Sequence, residues 1–267
     1  MYKLIALDMD GTLLNSSKEV TESVRTAIAK AKQKGIKVVL CTGRPLSGVK
    51  SYLKLLNLTE TGDFVVTYNG ALVQEADTER AIFHKTMSAT DINRHLEIAQ
   101  KNEVRNHFLD LEAMYTTDKA ISDYTVLDAY LTKSHLNYVT GVQEPREFVK
   151  FMYSDHPNLI DQLETQLPPP LLQDFTVIRS QPFFLEVMNK EADKGRGVEA
   201  LAQHLGITKD EVICVGDAEN DRHMIEYAGL GAAMANASDS IKQIADFVTR
   251  SNDEDGVAFV IEKYLLG

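Results

Sequence analysis

The stretch LIALDMDGTLL, residues 4–14, places an acidic pair directly after a run of apolar residues. Leu4–Leu7 has four consecutive apolar side chains, which is typical of a strand buried on both faces of a parallel sheet. Asp8 and Asp10 follow at the end of this strand, and Gly11 permits a tight departure from it. Because ligands bind at the carboxyl ends of strands in open α/β sheets, the two acids predict a functional site there.

The acidic pair by itself also fits the start of a solvated loop, because D-x-D sequences are common. Two crowded carboxylates repel each other unless a cation neutralises them or one of them holds a proton. Oxygen ligands favour a hard cation such as Mg²⁺. An EF-hand calcium loop is excluded, because Leu13 and Leu14 stand where such a loop needs further oxygen ligands.

The composition is that of an ordinary globular protein, with 267 residues, 44% hydrophobic and 25% charged. The formal net charge of −11 argues against a general nucleic-acid binder, which needs Lys/Arg stripes. A small anionic substrate requires only a locally positive site.

The sequence contains no run of about 18 apolar residues, so no membrane span is predicted. The first ten residues, with two acids and one lysine, are unlike a signal peptide. We therefore expect a cytoplasmic protein without a membrane partner, either a monomer or a homodimer.

The two cysteines, Cys41 and Cys214, both lie inside apolar runs. Two such thiols do not form a disulfide framework. We expect both to be buried and reduced, which is in keeping with a cytoplasmic location.

The first and last thirds of the chain alternate between strand-like and helix-like patterns. Strands are predicted at residues 4–7, 36–41, 64–68, 212–215 and 230–234, and helices at about 21–34, 45–56, 197–206, 221–227, 238–245 and 257–265. Successive βα units predict a parallel sheet with helices on its faces. Asn69-Gly70 is a hairpin turn signal after the third strand.

The middle of the chain has a different pattern. Alternating segments occur at 147–153, 175–180 and 183–188, with helices near 91–101 and 157–167. Pro168-Pro169-Pro170 predicts a short rigid turn or linker. A mixed α+β unit of roughly one hundred residues is a usual size for a small domain. We predict a discontinuous core domain, residues 1–85 and 190–267, with an inserted domain at residues 86–189.

Two further strand ends carry polar groups. The second strand ends in Thr42-Gly43-Arg44, where a hydroxyl and backbone N–H groups before a helix would make an anion cradle. A helix-capping Thr42 explains the same residues. The strand at 212–215 ends in GDAEND, which supplies Asp217 and Asp221, although acids are also common at helix starts.

Lys194 lies in the sequence DKGRG, directly before a predicted helix. A single lysine at such a position is usually solvated. Three strand ends that each deliver polar groups, together with this lysine, nevertheless predict one common site.

The motifs DMDGTLL, TGR, DKG and GDAEND, in this order and at these separations, resemble those of the haloacid dehalogenase-like hydrolases. The large insertion between TGR and DKG is similar to that of the Cof-type branch, which has a C2-type cap. TYNGALV and SNDEDGVAFVIEKYL also resemble that branch, so the resemblance covers essentially the whole chain. It implies an α/β fold with a Rossmann-like parallel-sheet core domain and an inserted α+β C2-type cap that selects the substrate.

The resemblance implies a Mg²⁺-dependent phosphatase of small phosphorylated metabolites, most of all sugar phosphates. Asp8 would be the nucleophile that forms an aspartyl-phosphate, and Asp10 would protonate the leaving group and then activate water. Mg²⁺ would be bound by the Asp8 carboxylate, the Asp10 backbone carbonyl and the Asp217 carboxylate. Asp221 would orient these ligands or their waters.

The same resemblance implies a set of phosphate ligands, which are Thr42, the backbone N–H groups of Met9 and Gly43, Lys194 and Asn220. An acid at position 10 favours a phosphatase over the ATPases of the family, which carry threonine there. Two alternatives stay open, a phosphotransferase or mutase that uses the same intermediate and a non-catalytic sensor of phosphorylated ligands. Arg44 could contact the phosphate or pair with an acid of the core.

Overall fold

Residues 1–267 are all described by a computed structural model. Residue contacts divide the chain into two compact units. Unit 1 comprises Met1–His84 and Asp193–Gly267, and unit 2 comprises Lys85–Ala192. Unit 2 is therefore inserted into the sequence of unit 1, and the boundaries between the units lie within three residues of positions 85 and 190.

The strands and helices are numbered in chain order. The strands are β1 (Leu4–Leu7), β2 (Lys37–Cys41), β3 (Phe64–Thr67), β4 (Leu72–Glu75), β5 (Ala81–His84), β6 (Met87–Ser88), β7 (Asn106–Leu109), β8 (Met114–Thr116), β9 (Leu136–Tyr138), β10 (Glu147–Phe148), β11 (Lys150–Ser154), β12 (Phe175–Gln181), β13 (Phe184–Asn189), β14 (Val212–Gly216), β15 (Leu230–Ala233) and β16 (Phe247–Val248). The helices are α1 (Glu22–Gln33), α2 (Lys50–Leu55), α3 (Ala89–Lys101), α4 (Asp123–Thr132), α5 (Pro157–Gln166), α6 (Pro169–Asp174), α7 (Lys194–His204), α8 (Arg222–Tyr227), α9 (Asp239–Ile244) and α10 (Gly256–Ile261).

The sheet of unit 1 has eight strands in the order β16-β15-β14-β1-β2-β3-β4-β5. The strands from β16 to β3 run parallel, whereas β4 and β5 extend one edge in antiparallel pairing. The predicted turn at Asn69-Gly70 joins β3 to β4, with Thr67 opposite Leu72. The two edge strands β4 and β5 have no counterpart among the predicted strands.

The central strand β1 is buried along its whole length. Ile5 and Leu7 pack into a hydrophobic core that includes residues of α1, α2 and α10, whereas Leu4 and Ala6 pack with residues of α7 and α8. Because helices cover both faces of the sheet, β1 needs apolar residues at every position. This explains why an unbroken apolar run precedes Asp8.

The main sheet of unit 2 has six strands in the order β12-β13-β11-β7-β8-β9, and a separate ribbon pairs β10 with β6. All neighbouring pairs in the six-stranded sheet are antiparallel except β8 with β9. One sheet face buries aromatic residues such as Phe108 and Phe151 against α3 and α5. The predicted fold class, a parallel-sheet α/β core with an inserted α+β domain, is confirmed.

Two local predictions in unit 2 are wrong. The proline run at Pro168–Pro170 was predicted as a turn or linker, but only Pro168 lies in the connection between α5 and α6, because α6 begins at Pro169. Proline fits the first turn of a helix, where its missing N–H has no intrahelical acceptor. The segment 147–153 is not one strand, since β10 pairs with β6 whereas β11 pairs with β7 and β13.

Two helix predictions also need correction. The predicted helix at 45–56 is shorter, because Leu46–Gly48 forms a 3₁₀ turn and α2 spans only Lys50–Leu55. Helix α4 has no counterpart in the predictions, since its apolar residues do not fall on one buried stripe and only Thr125 is fully covered. No helix of the chain combines the length and the hydrophobicity that crossing a membrane would require.

Candidate active site

Three parallel strands bring the predicted site residues to one edge of the sheet of unit 1. Leu7 of β1 is in register with Leu40 of β2 and with Val215 of β14. Asp8, Thr42 and Asp217 therefore follow neighbouring strand ends within two residues of these positions. The sheet order, with β1 between β2 and β14, is what brings residues more than 200 positions apart to the same place.

Lys194 is completely buried at the first position of α7. Its ammonium group donates to Asp8 Oδ1 and to Asp221 Oδ1, each at 2.6 Å. Burial by itself lowers the pKa of Lys194, but the charges of Asp221 and Asp8 outweigh it and raise that pKa. The lysine is therefore a fixed cation between two buried carboxylates, and the alternative of a solvated surface lysine is wrong.

Asp221 is also completely buried. Its Oδ2 atom accepts hydrogen bonds from the backbone N–H groups of Asp217 at 2.9 Å and Ala218 at 3.0 Å. Because Oδ1 is bonded to Lys194, both carboxylate oxygens have partners. Asp221 thus joins the lysine to the loop that carries Asp217.

One carboxylate oxygen from each of Asp8, Asp217 and Asp221 lies within 4.8 Å of the other two. Burial, reinforced by the charge of Asp221, raises the pKa of Asp8 to about 8 although Lys194 opposes the shift. Burial also raises the pKa of Asp217 to about 6. Three carboxylates face a single ammonium group, so the cluster carries an excess of negative charge that a divalent cation would neutralise.

The donors of this cluster are all oxygen atoms, which suit Mg²⁺ rather than a soft metal. The predicted metal ligands Asp8 and Asp217 belong to it, whereas Asp10 was predicted to contribute its backbone carbonyl. Thr12 donates its hydroxyl to Asp217 Oδ1 at 2.7 Å and so fixes the direction of that carboxylate. The sequence predictions did not include Thr12, although its position in the DGT motif was a signal for it.

The carboxylate of Asp10 lies outside the cluster. Arg44 holds it with two hydrogen bonds, Nε to Oδ2 at 2.9 Å and Nη2 to Oδ1 at 2.7 Å, and Lys18 donates to Oδ1 at 2.9 Å. Partial burial by itself raises the pKa of Asp10, but the bonds to Arg44 and Lys18 outweigh it and lower that pKa. Of the two alternatives for Arg44, the structure has the pairing with an acid of the core.

The predicted phosphate ligands include several groups without an internal partner. The backbone N–H groups of Met9 and Gly43 donate to no protein acceptor. Thr42 is buried, and its hydroxyl accepts from the backbone N–H of Arg44 at 3.2 Å, which leaves the hydroxyl hydrogen available. Free donors that follow β1 and β2 provide the hydrogen bonds that an anion requires.

Asn220 lies in the turn Glu219–Asp221 and donates from Nδ2 to Asn69 Oδ1 at 3.0 Å. The sequence predictions did not assign Asn69 to the site. Its sequence signals were the hairpin turn and its place in TYNGALV, a segment that contributed to the family resemblance. Asn69 is buried in the hairpin between β3 and β4.

Comparison with known proteins places this chain in a family. The profile of the haloacid dehalogenase-like hydrolases matches residues 5–261. The Bacillus subtilis (strain 168) protein YxeH is 44% identical over 268 residues, which cover 100% of this chain and 99% of YxeH. The chain is a member of the haloacid dehalogenase-like hydrolase family. The resemblance predicted from its motifs is confirmed.

Two further relatives cover the whole fold of this haloacid dehalogenase-like hydrolase. A crystal structure of a family member from Bacteroides thetaiotaomicron superimposes with a TM-score of 0.87 at 32% identity, covering 98% of this chain and 99% of that one. The Bacillus subtilis protein YcsE, a 5-amino-6-(5-phospho-D-ribitylamino)uracil phosphatase, is 31% identical and covers 99% of this chain and 96% of its own length. Core and insertion therefore both have counterparts in these relatives.

Proposed function

We propose that this protein is a Mg²⁺-dependent phosphatase that hydrolyses phosphomonoesters of small metabolites, with sugar phosphates as the first substrate class. The observation that carries the proposal is the buried set of Asp8, Lys194 and Asp221 beside Asp217, at the ends of parallel strands. It combines a carboxylate nucleophile, a fixed cation and an oxygen-only ligand set. Phosphoryl transfer requires chiefly such positioning and charge stabilisation.

Asp8 is the proposed nucleophile. Lys194 holds its Oδ1 atom, so one oxygen is anchored and Oδ2 remains to attack phosphorus. A bond forms between Asp8 and phosphorus while the ester P–O bond breaks, and the leaving alkoxide takes a proton from Asp10. Water then attacks phosphorus, its proton passes to Asp10, and the bond to Asp8 breaks to release phosphate. Covalent catalysis of this kind divides one difficult displacement into two easier ones.

Asp10 must carry a proton in the first step, whereas Arg44 and Lys18 favour its ionised form. The proposal therefore requires that Asp10 leave at least part of this ion pairing when substrate binds. General acid–base groups of this kind typically contribute about 10²–10⁴-fold to the rate. Arg44 and Lys18 thus determine how readily the acid becomes available.

The carboxylates of Asp8 and Asp217 and the backbone carbonyl of Asp10 are the proposed Mg²⁺ ligands, with Asp221 orienting the Asp217 loop. Bound Mg²⁺ would neutralise the excess carboxylate charge and allow an anionic phosphate to enter. The phosphate oxygens would accept hydrogen bonds from the proposed phosphate ligands, which are Thr42, the N–H groups of Met9 and Gly43, Lys194 and Asn220. These donors explain how an acidic protein can bind an anion.

Unit 2 is the proposed substrate-specificity domain, in place of the predicted range 86–189. Sugar phosphates are favoured because the relative YcsE is named for a substrate whose phosphate is on a ribityl chain. A transferase with the same intermediate would release phosphate only when an acceptor other than water is absent or inefficient. A sensor would bind phosphorylated ligands without turnover.

The test is a panel of sugar phosphates, nucleotides, pyridoxal phosphate and flavin mononucleotide, with and without Mg²⁺, in which released phosphate is measured. Asp8→Asn should reduce Mg²⁺-dependent release to background, by on the order of 10⁴-fold or more. Asp63→Asn is the matched control, because Asp63 is a buried acid of the same unit that accepts from Lys32 at 2.8 Å. It should retain turnover.

Mg²⁺-independent release, or full activity of Asp8→Asn, would contradict the proposal. Transfer of the phosphoryl group to an added acceptor, with little or no release of inorganic phosphate, would identify a transferase. Ligand binding without release from any member of the panel would identify a sensor.

A further inference from the structure

The hairpin loop Tyr68–Gly70, between β3 and β4, has an unusual backbone. All three residues have positive φ angles, 51° at Tyr68, 52° at Asn69 and 90° at Gly70. A positive φ is costly for residues other than glycine, and least so for asparagine. Backbone strain of this kind occurs preferentially at functional sites. A simple two-residue hairpin would need positive φ only at its two central positions.

The loop is bonded to the end of β2. The Asn69 backbone N–H donates to the Thr42 carbonyl at 2.9 Å, and the Tyr68 backbone N–H donates to the Arg44 carbonyl at 3.2 Å. A Cβ atom built on Gly43 would lie 3.0 Å from both amide atoms of Asn69, so this side chain packs directly against the glycine. Asn69 therefore supports the Thr42-Gly43 segment from its backbone and its side chain.

The same side chain reaches the turn after β14. Asn69 Oδ1 accepts from Asn220 Nδ2 at 3.0 Å. Rotating both amides by 180° would exchange donor and acceptor but keep the hydrogen bond, so the contact does not depend on the assignment of nitrogen and oxygen. One buried amide thus connects two of the strand ends that carry proposed phosphate ligands.

Gly70 brings the loop to the third part of the site. A Cβ atom at Gly70 would lie 1.9 Å from the Asp193 carbonyl oxygen and 2.9 Å from the Lys194 backbone nitrogen. Only glycine permits this approach to the start of α7. The loop is therefore in contact with the segments that carry Thr42, Asn220 and Lys194.

We propose that the loop Tyr68–Gly70 is part of the phosphate site and that Asn69 is a positioning residue of this site. The Asn69 side chain packs against Gly43 and is hydrogen-bonded to Asn220 at the same time. The inference rests on the proposed function only in taking phosphate as the ligand. Asn69 is not proposed to take part in the chemical steps. It keeps the donors of two strand ends at a fixed separation, and a displacement of about 1 Å at such a site can cost about 10²-fold in rate.

The decisive variant is Asn69→Gly, which removes the amide and tolerates the positive φ. Asn57→Gly is its matched control, since Asn57 also has a positive φ of 55° in unit 1 but is exposed. We expect kcat/KM to fall at least about tenfold for Asn69→Gly relative to Asn57→Gly. Equilibrium binding of inorganic phosphate, with and without Mg²⁺, should weaken by a similar factor, and this measurement does not depend on turnover.

A second measurement separates positioning from general destabilisation. Asn69→Gly, Asn220→Ala and the double variant form a double-mutant cycle. Because Asn69 acts partly through Asn220, the loss in the double variant should be smaller than the product of the single losses by at least about threefold. A purely structural role would leave the two effects independent.

Equal kcat/KM and phosphate affinity for Asn69→Gly and Asn57→Gly, or multiplicative losses in the cycle, would overturn the inference. If the wild-type protein binds phosphate but releases none from the substrate panel, the proposed function fails, while the ratio of phosphate affinities still decides the role of Asn69. If the wild-type protein binds no phosphate, both proposals fail.

Discussion

The two units each bury a lysine, and the surroundings of the two side chains differ. Lys194 in unit 1 donates to Asp8 and Asp221 at 2.6 Å each, in a cluster that also contains Asp217. Lys150 in unit 2 has one hydrogen bond, to Glu186 at 3.2 Å. Lys194 thus has two carboxylates in direct contact, whereas Lys150 has one, although the charge of Asp128 also acts on Lys150.

Sheet topology accounts for the difference. In unit 1, parallel strands end at the same edge, so polar residues that follow each strand converge there. In unit 2, β11 and β13 are antiparallel, Lys150 is the first residue of β11, and Glu186 lies within the neighbouring strand β13. A balanced pair within a sheet satisfies its own charge. An excess of carboxylates at converging strand ends does not, and so provides a place for a cation and an anionic ligand.

The strongest contrast is expected from the same substitution at both lysines. Lys194→Met should lower Mg²⁺-dependent phosphate release by on the order of 10³-fold, because a buried cation aimed at the proposed nucleophile and phosphate is lost. Lys150→Met should leave kcat for a small aryl phosphate within about threefold of wild type, since its charge pair is separate from the proposed chemistry. Equal losses in the two variants would remove the distinction between the lysines.

Substitution of Lys150 should change the free energy of unfolding more than it changes turnover. Lys150→Met leaves Glu186 buried without its partner, and breaking a buried ion pair from one side costs about 3–5 kcal/mol of unfolding free energy. Replacing both residues, as Lys150→Met with Glu186→Leu, should recover stability to within about 1 kcal/mol of wild type or above it. Urea unfolding measures both values. A double variant as unstable as the single one would mean that the pair contributes more than charge balance.

The Thr12 hydroxyl, which donates to Asp217, offers a test of the proposed Mg²⁺ site with a smaller expected effect. Thr12→Val removes the 2.7 Å hydrogen bond to Asp217 Oδ1 with little change in shape. The Mg²⁺ concentration for half-maximal activity should rise about 10–100-fold, since groups that orient metal ligands affect affinity to that extent. Thr12→Ser restores the hydroxyl and should restore the Mg²⁺ response. An unchanged Mg²⁺ response in Thr12→Val would contradict the proposed role of this hydroxyl in orienting a Mg²⁺ ligand.

The excess of carboxylate charge in the cluster predicts that the stability of the protein falls as the pH rises when a chelator removes the metal. The pKa values of Asp8, about 8, and Asp217, about 6, are raised from 3.8, so the folded protein holds extra protons between about pH 4 and pH 8. Their contribution to stability is present at low pH and is lost as the pH rises through about 6 and then about 8.

The melting temperature measures this effect. Without metal, it should fall by at least about 3 °C between pH 5 and pH 8, because each pH unit over which the folded protein holds one extra proton corresponds to about 1.4 kcal/mol. Asp217→Asn should remove its part of the change, which lies below about pH 6. Saturating Mg²⁺ should oppose the fall, because it binds the ionised carboxylates. A melting temperature that rises with pH in the chelator would contradict the charge excess.

Local patterns in the sequence predicted the elements that position the site. The unbroken apolar run before Asp8 predicted β1, and Thr21 and Gly35 marked the ends of α1, which spans Glu22–Gln33. Periodicity and capping act between residues close in sequence, so they can be read without knowing the fold. The polar groups after three strands predicted one common site, the family resemblance added a role for each residue, and Lys194 does lie in direct contact with Asp8 and Asp221.

Other features depended on contacts between distant segments. Nothing near Asn69 in the sequence signals a bond to Asn220, which is 151 residues away. The two hydrogen bonds from Arg44 to Asp10 were one of two alternatives, and the bond from Lys18 to the same carboxylate had no signal. These contacts depend on side-chain directions at loops, which spacing alone does not determine.

The sequence by itself determined where the buried strands end and which chemical groups follow them, because hydrophobic burial and turn chemistry are local properties. The tertiary structure decided which of those groups share a site. The order β14-β1-β2-β3 brings Asp217, Asp8, Thr42 and Asn69 to consecutive strand ends. Only this packing gives Lys194 two carboxylate partners and leaves the cluster with more negative charge than the protein neutralises.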